Sequence, residues 1–187
     1  MRFILGALLL FSLWQASTLL VAATLLRAHG DSGSESSVSQ IAFARKVDSR
    51  HPEVLAWLGK FSPVAADRLQ AARELTKAEP FLGSAWATLF ELKLISRELD
   101  GELERALAQA IARSPYDPIV QEQLVRAAVD GWLAMTPVMR RTLIDVAANM
   151  LDSKATYRLG ARRALVRDSG LLPLICQVTT HALCDGG

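Results

Sequence analysis

The sequence predicts an all-α protein: antiparallel helix hairpins, stacked as a solenoid, behind a single N-terminal transmembrane helix. Three observations carry that expectation. Arg2 and Arg27 bracket twenty-four uncharged residues, FILGALLLFSLWQASTLLVAATLL, where about twenty suffice to span a bilayer as helix. Beyond them, apolar residues recur at three- and four-residue spacing, and no segment alternates apolar and polar as a strand would. Pro80 and Pro115, thirty-five residues apart, each follow a pair of predicted helices.

Residues 1–28 are read as the anchor. A cleaved signal peptide has a shorter apolar region, about 7–15 residues, so retention is expected even though Val21-Ala22-Ala23 offers small residues for cleavage. Arg2 and the amino terminus, set against Arg27, place the start of the chain inside and the body outside. This corresponds to a single-pass protein of an inner membrane with a periplasmic body. Residues 29–40, HGDSGSESSVSQ, bury too little apolar surface to offset ordering entropy and are read as a flexible linker. Residues 41–187 form the helical domain.

Within that domain the expected helices are 40–49, 52–59, 63–78, 84–98, 102–113, 118–133, 137–151 and 154–167, with a weaker apolar segment at 171–183. Ser62-Pro63, Asp117-Pro118 and Thr136-Pro137 each join a capping oxygen to a proline suited to the first helical position. Glu79-Pro80 ends the helix before it. Between 63 and 78 the expected buried residues are Ala65, Leu69, Ala72 and Leu75. The hairpin from Ser84 to Pro118 is the centre of the domain. Trp86, Leu89 and Phe90 form the apolar stripe of its first helix, and Trp86 is expected to be its largest buried group. Leu103, Ala106, Leu107, Ala110 and Ile111 line one face of the second. Met139, Leu143, Val146, Ala147 and Met150 do the same between 137 and 151. Short connections make successive helices antiparallel.

In spacing the chain resembles the tetratricopeptide (TPR) family, whose unit of about 34 residues has an early Trp, a Leu three further on, small residues facing each other across the hairpin and a closing Pro. Trp86, Leu89, Ala106, Ala110 and Pro115 carry the match. A shorter unit surrounds Trp57, and the unit after Pro118 has Gln121 where the Trp belongs. Over residues 50–177 the order HPEVLAWLG, GSAWATLFEL, SPYDPIVQEQLVRAAVDGW and YRLGARRALVRDSGLLPLICQ is similar to anchored, divergent TPR-like proteins encoded with bacterial exopolysaccharide or capsule genes. That resemblance implies an accessory, non-catalytic part and transfers no functional residue.

Charge and motifs exclude several function classes. All nineteen acidic residues lie beyond position 30 with nineteen of the twenty-one Lys and Arg, so the body is neutral and offers no global field for nucleic acid. No phosphate loop, His-Glu-x-x-His or Gly-x-Ser-x-Gly is present. His29, His51 and His181 stand apart, without a nucleophile. Glu91, Glu98, Glu102 and Glu104 are read as solvated rather than as the carboxylate pair of a glycosidase. Cys176, His181 and Cys184 lack a fourth metal ligand. The two cysteines are read as ordinary thiols, because eight residues of continuous helix would separate them by about 12 Å; the alternative, a bridge in an oxidising compartment, requires a turn near Thr179-Thr180. No enzyme, cofactor, metal or small-molecule substrate is expected.

What remains points to binding. Glu91, Glu122 and Arg126 fall on the first helices of their pairs, which line the groove of such solenoids. Lys154, Arg158 and Arg162 recur every fourth residue with Arg163 and Arg167 beside them. This positive stripe would dock an acidic surface or simply solvate the end of the solenoid. The expected function is a membrane-anchored protein-interaction scaffold of the cell envelope. The alternative is a permanently assembled structural subunit.

Overall fold

The computed structural model describes residues 50–152 and 159–178. Among them every regular element is helical, with eight α-helices, one 3₁₀ turn and no strand. No helix among the described residues is long and apolar enough to cross a membrane. The segment read as the anchor, the linker and the predicted helix 40–49 lie outside the described residues.

The chain divides after Ala78 into two compact units, at the Glu79-Pro80 stop. In the first, α1 (Pro52–Phe61) packs on α2 (Ala65–Ala78). His51 caps α1, its Nδ1 accepting from the Glu53 N–H, with Pro52 at the first helical position. The core joins Val54, Leu55 and Leu58 to Leu69, Ala71, Ala72 and Leu75. Ala65, expected inside, is exposed. The reason is that Ser62-Pro63 does not start α2. Ser62 instead ends α1, donating its N–H to Leu58, and α2 begins two residues after Pro63. Trp57 is half-buried and tilts against Phe61 at 5.3 Å.

The second unit holds α3 (Gly83–Ile95), α4 (Gly101–Arg113), α5 (Pro118–Gly131), a 3₁₀ turn (Trp132–Ala134), α6 (Pro137–Asp152), α7 (Leu159–Asp168) and α8 (Leu172–Val178). Asp117 caps α5 by accepting from the Ile119 N–H, and Thr136 caps α6 by accepting from Met139. Asp100 caps α4 by accepting from Glu102 and Leu103. The α3 helix packs on both α4 and α5; α5 continues onto α6, which carries α7 and α8. Two contacts explain why α3 is apolar almost all round: α4 covers one side and α5 another. At Gly83 a side chain has no room, since a β-carbon there would lie 2.3 Å from Ser114 Oγ and 2.6 Å from Ser114 Cβ.

Leu89, Ala106 and Ala110 are buried, as are Leu103, Leu107 and the stripe Met139, Leu143, Val146, Ala147 and Met150. Ile111 is half-buried. Trp86 is also half-buried, and the aromatic fully inside α3 is Phe90. The cause is polar: the indole Nε1 donates to the Pro80 carbonyl at 3.0 Å, which holds the ring at the surface. Pro115 is exposed, and its carbonyl accepts from Gln121 Nε2 at 2.7 Å.

Candidate functional site

Two helices that follow antiparallel partners in turn must themselves run parallel, and α3 and α5 do so side by side. Gln123 of α5 reaches back thirty-five residues to Thr88 and thirty-two to Glu91, donating from Nε2 to Thr88 Oγ1 at 3.1 Å and to Glu91 Oε2 at 2.8 Å. A carboxylate only accepts, so the amide nitrogen must face it. Nearer the helix ends, Gly131 lets α5 approach α3 closely: a β-carbon there would meet the Leu94 methyl groups at 3.1 Å.

The outer face between the two helices is a furrow. On α3, Ser84, Thr88, Glu91 and Ile95 follow one another at helical spacing, and none of them is buried. On α5 the matching row is Ile119, Gln123 and Asp130. A small, shallow recess opens at the C-terminal end of the furrow, lined by Glu91, Leu94, Ile95, Ala127, Asp130 and Gly131. Leu94 and Ala127 are its buried floor, and Ile95, 56% exposed, is its wall. Two carboxylates from different helices thus share an apolar recess.

The expected contact residues divide here. Glu91 belongs to the furrow. Glu122 and Arg126 belong to each other, with Arg126 Nη2 donating to Glu122 Oε1 at 2.9 Å and Nε at 3.2 Å. Glu122 is largely buried and Arg126 lies open. Lys154 and Arg158 lie outside the described residues. Arg163 is exposed, but Arg162 is 1% exposed, and its Nε and Nη1 have no hydrogen-bond partner among the described residues. Arg162 therefore does not present itself to an acidic surface. It shares a face with Val166, which is fully buried one turn later, and that apolar residue turns the face inward.

A second polar cluster closes the α3–α4 turn. Lys93 is fully buried, and its ammonium donates to Glu102 at 2.6 Å, Asp100 at 2.9 Å and Glu98 at 3.1 Å. Glu98 and Glu102, expected in solvent, are thus committed to a lysine. Burial pulls the Lys93 ammonium down, but the hydrogen bonds to Glu102, Asp100 and Glu98 outweigh it and hold it above the ordinary lysine range. The bond from Lys93 holds the Asp100 carboxyl below its usual range, against burial and with help from the Leu103 and Glu102 N–H groups. The three carboxylates have the spacing of a cation site, and the ammonium fills it.

Cys176 is disulfide-bonded, and no cysteine among the described residues is free. The reading of ordinary thiols is corrected accordingly. Cys184, the only other cysteine in the sequence, lies outside the described residues.

Sequence reasoning missed Gln123, Asp130 and the role of Lys93. Two signals were there. Gln123 stands as far from Thr88 as Pro115 from Pro80, and Lys93 is the one charge inside LKLI with acids at 98, 100 and 102 beyond it. Comparison with protein families, with curated proteins and with solved structures returns no match to this chain.

Proposed function

We propose that this chain is a membrane-anchored scaffold that offers the α3–α5 furrow to a polypeptide partner, as a non-catalytic part of a bacterial cell-envelope system. The furrow is the observation that carries the reading. It is an open face of two parallel helices, with apolar and polar groups in register and a recess at one end. Such faces suit peptides and helices, which supply side chains at matching intervals. The α3–α4 and α5–α6 pairs act as successive TPR-like units, a reading supported by the thirty-five-residue offset of Thr88 from Gln123 and of Pro80 from Pro115.

The anchor rests on the uncharged segment 3–26. A periplasmic body agrees with the disulfide at Cys176, since oxidising compartments favour such bonds. Service in exopolysaccharide synthesis or export rests on the resemblance in sequence order alone. A permanently assembled subunit is a second reading, favoured by one surface. Phe81, Leu82, Tyr116 and Ile119 are all exposed where the ends of α3, α4 and α5 meet, and Arg113 lies over the Phe81 ring at 4.8 Å.

Photocrosslinking in the native membrane separates these readings. With p-benzoylphenylalanine at Ile95, the full chain yields one protein adduct that is absent when the probe replaces Glu104, which is exposed on α4. Adducts from Tyr116 but not from Ile95 favour the permanent subunit. Release of the full chain from membranes by alkaline carbonate removes the anchor from the proposal.

A further inference from the structure

We infer that the furrow selects its partner by a basic side chain: a Lys or Arg of the bound polypeptide enters the recess between Glu91 and Asp130. The inference rests on the groove reading above and names the chemistry that the groove accepts.

The recess has two acidic groups and no basic one among its lining residues. Gln123 fixes Glu91 through one oxygen, Oε2, and among the described residues no donor reaches Oε1. Asp130, on the other wall, is exposed and has no ion pair or side-chain hydrogen bond among the described residues. The nearest candidate cation along α5, Arg126, is bound to Glu122. Most other acids of this unit are already engaged: Glu98, Asp100 and Glu102 on Lys93, Glu122 on Arg126, Asp117 as a helix cap and Asp168 on Arg167. Two carboxylates held a recess apart and lacking a cation form a surface complementary to one.

The apolar floor determines what kind of cation fits. Leu94, Ile95 and Ala127 suit a methylene stem, and Lys and Arg lay such stems along apolar surface while the charged head reaches polar groups. A bare metal ion would gain nothing from that floor. Toward the other end of the furrow, exposed Ile119 shares the face of Gln123 and Asp130. Eleven residues of helix place it about 16 Å from Asp130. The occupant is therefore a polypeptide with a basic residue at one end of its contact and an apolar one at the other.

The test uses the full chain in micelles of a neutral maltoside detergent, and immobilised pools of randomised twelve-residue peptides with one fixed central residue. The Lys and Arg pools are expected to retain about tenfold more protein than the norleucine pool, as a charge-assisted contact warrants. The double variant Glu91→Gln/Asp130→Asn keeps the acceptor that Gln123 uses, and its preference should fall to within about twofold. Glu104→Gln should leave the preference unchanged. Equal retention on Lys and norleucine pools, lost in Ile95→Glu, overturns the basic-residue inference and leaves the groove standing. Preference that survives in the double variant also overturns it. No retention on any pool, with the helical spectrum intact, overturns the groove and the inference together.

Discussion

At the entry to α3 the Trp86 indole donates to the carbonyl of Pro80. Thirty-five residues later, at the entry to α5, the Gln121 amide donates to the carbonyl of Pro115. Each proline stands second in a turn, Glu79–Leu82 or Ser114–Asp117, and a side-chain donor six residues on supplies a partner for its carbonyl. The α3–α4 and α5–α6 pairs therefore share a hydrogen bond, not a residue type. At their far ends they diverge. The α3–α4 turn is organised around buried Lys93 and its three carboxylates. Thirty-five residues on stands Ala128, fully buried, and that turn is a 3₁₀ stretch with Met135 buried and Leu133 92% exposed. The same backbone problem is closed in one pair by a salt-bridged polar plug and in the other by apolar packing with one arginine, Arg140, whose Nε donates to the Met135 carbonyl at 3.1 Å.

The largest effect that would sharpen this comparison is in the core. Phe90 and Val125 stand thirty-five residues apart, and both are fully buried. Phe90→Ala is expected to cost about 3–5 kcal/mol, because a large cavity remains. Val125→Ala, removing far less volume, should cost about 2 kcal/mol. Urea unfolding of the full chain in maltoside micelles, followed by helical circular dichroism, reads both. Equal costs would mean that the two pairs do not differ in core volume at this point.

Much of this second unit was legible in the sequence because periodicity reports burial. The stripes of α4 and α6 lie where their spacing puts them, and Asp117-Pro118 and Thr136-Pro137 cap as their chemistry dictates. Ser62-Pro63 misled because a serine with the same capping chemistry can end one helix instead of starting the next. Trp86 misled because size suggested burial, while its N–H needed a partner at the surface. Arg162 misled because a four-residue repeat of charge reads as solvated, and nothing in Arg162 itself signals that Val166 draws the face inward. The furrow was legible only in part. Glu91 could be placed on it from its helix, but Gln123 and Asp130 become partners of that face only through the parallel pairing of α3 and α5.

Breaking the polar plug is the intermediate effect. Lys93→Met leaves Glu98, Asp100 and Glu102 with no ammonium between them, and is expected to cost about 2 kcal/mol after allowance for the exposure of the acids. The pH dependence gives the sharper reading. Asp100 has a lowered pKa in the fold, so its contribution is present above its ordinary 3.8 and is lost as pH falls through the folded value below that. Lys93 has a raised pKa, so its contribution is full below the ordinary 10.5 and is lost as pH rises through the folded value above that. The stability difference between parent and Lys93→Met should therefore be flat between about pH 5 and 9, narrowing only in more acid or more alkaline solution. A difference that shrinks steadily across neutrality would show that the cluster is not what stabilises the turn. Ala128→Lys offers the complementary test: with no acids waiting at 133, 135 and 137, it should destabilise the α5–α6 pair.

The smallest effect tests the backbone of the same turn. After α3 ends, the Glu98 N–H bonds the Lys93 carbonyl and the Arg97 N–H bonds that of Leu94, the pairing of a Schellman cap. That cap needs a left-handed residue, and Arg97 supplies it at φ 57°, the one non-glycine residue with positive φ among those described. Glycine normally takes this place, as Gly170 does after α7 at φ 72°. A β-carbon in this conformation costs about 1–2 kcal/mol, of which the freer unfolded chain of a glycine variant takes back about 0.4–1 kcal/mol. Arg97 is exposed, so its side chain contributes little to offset the strain. Arg97→Gly should therefore stabilise the chain by about 0.5–1 kcal/mol, a rise of roughly 2–4 °C in melting midpoint. Gly170→Ala should lower the midpoint by a similar amount. A lower midpoint for Arg97→Gly would mean that the Arg97 side chain stabilises the turn, and that the Lys93 plug draws on a fourth charged neighbour.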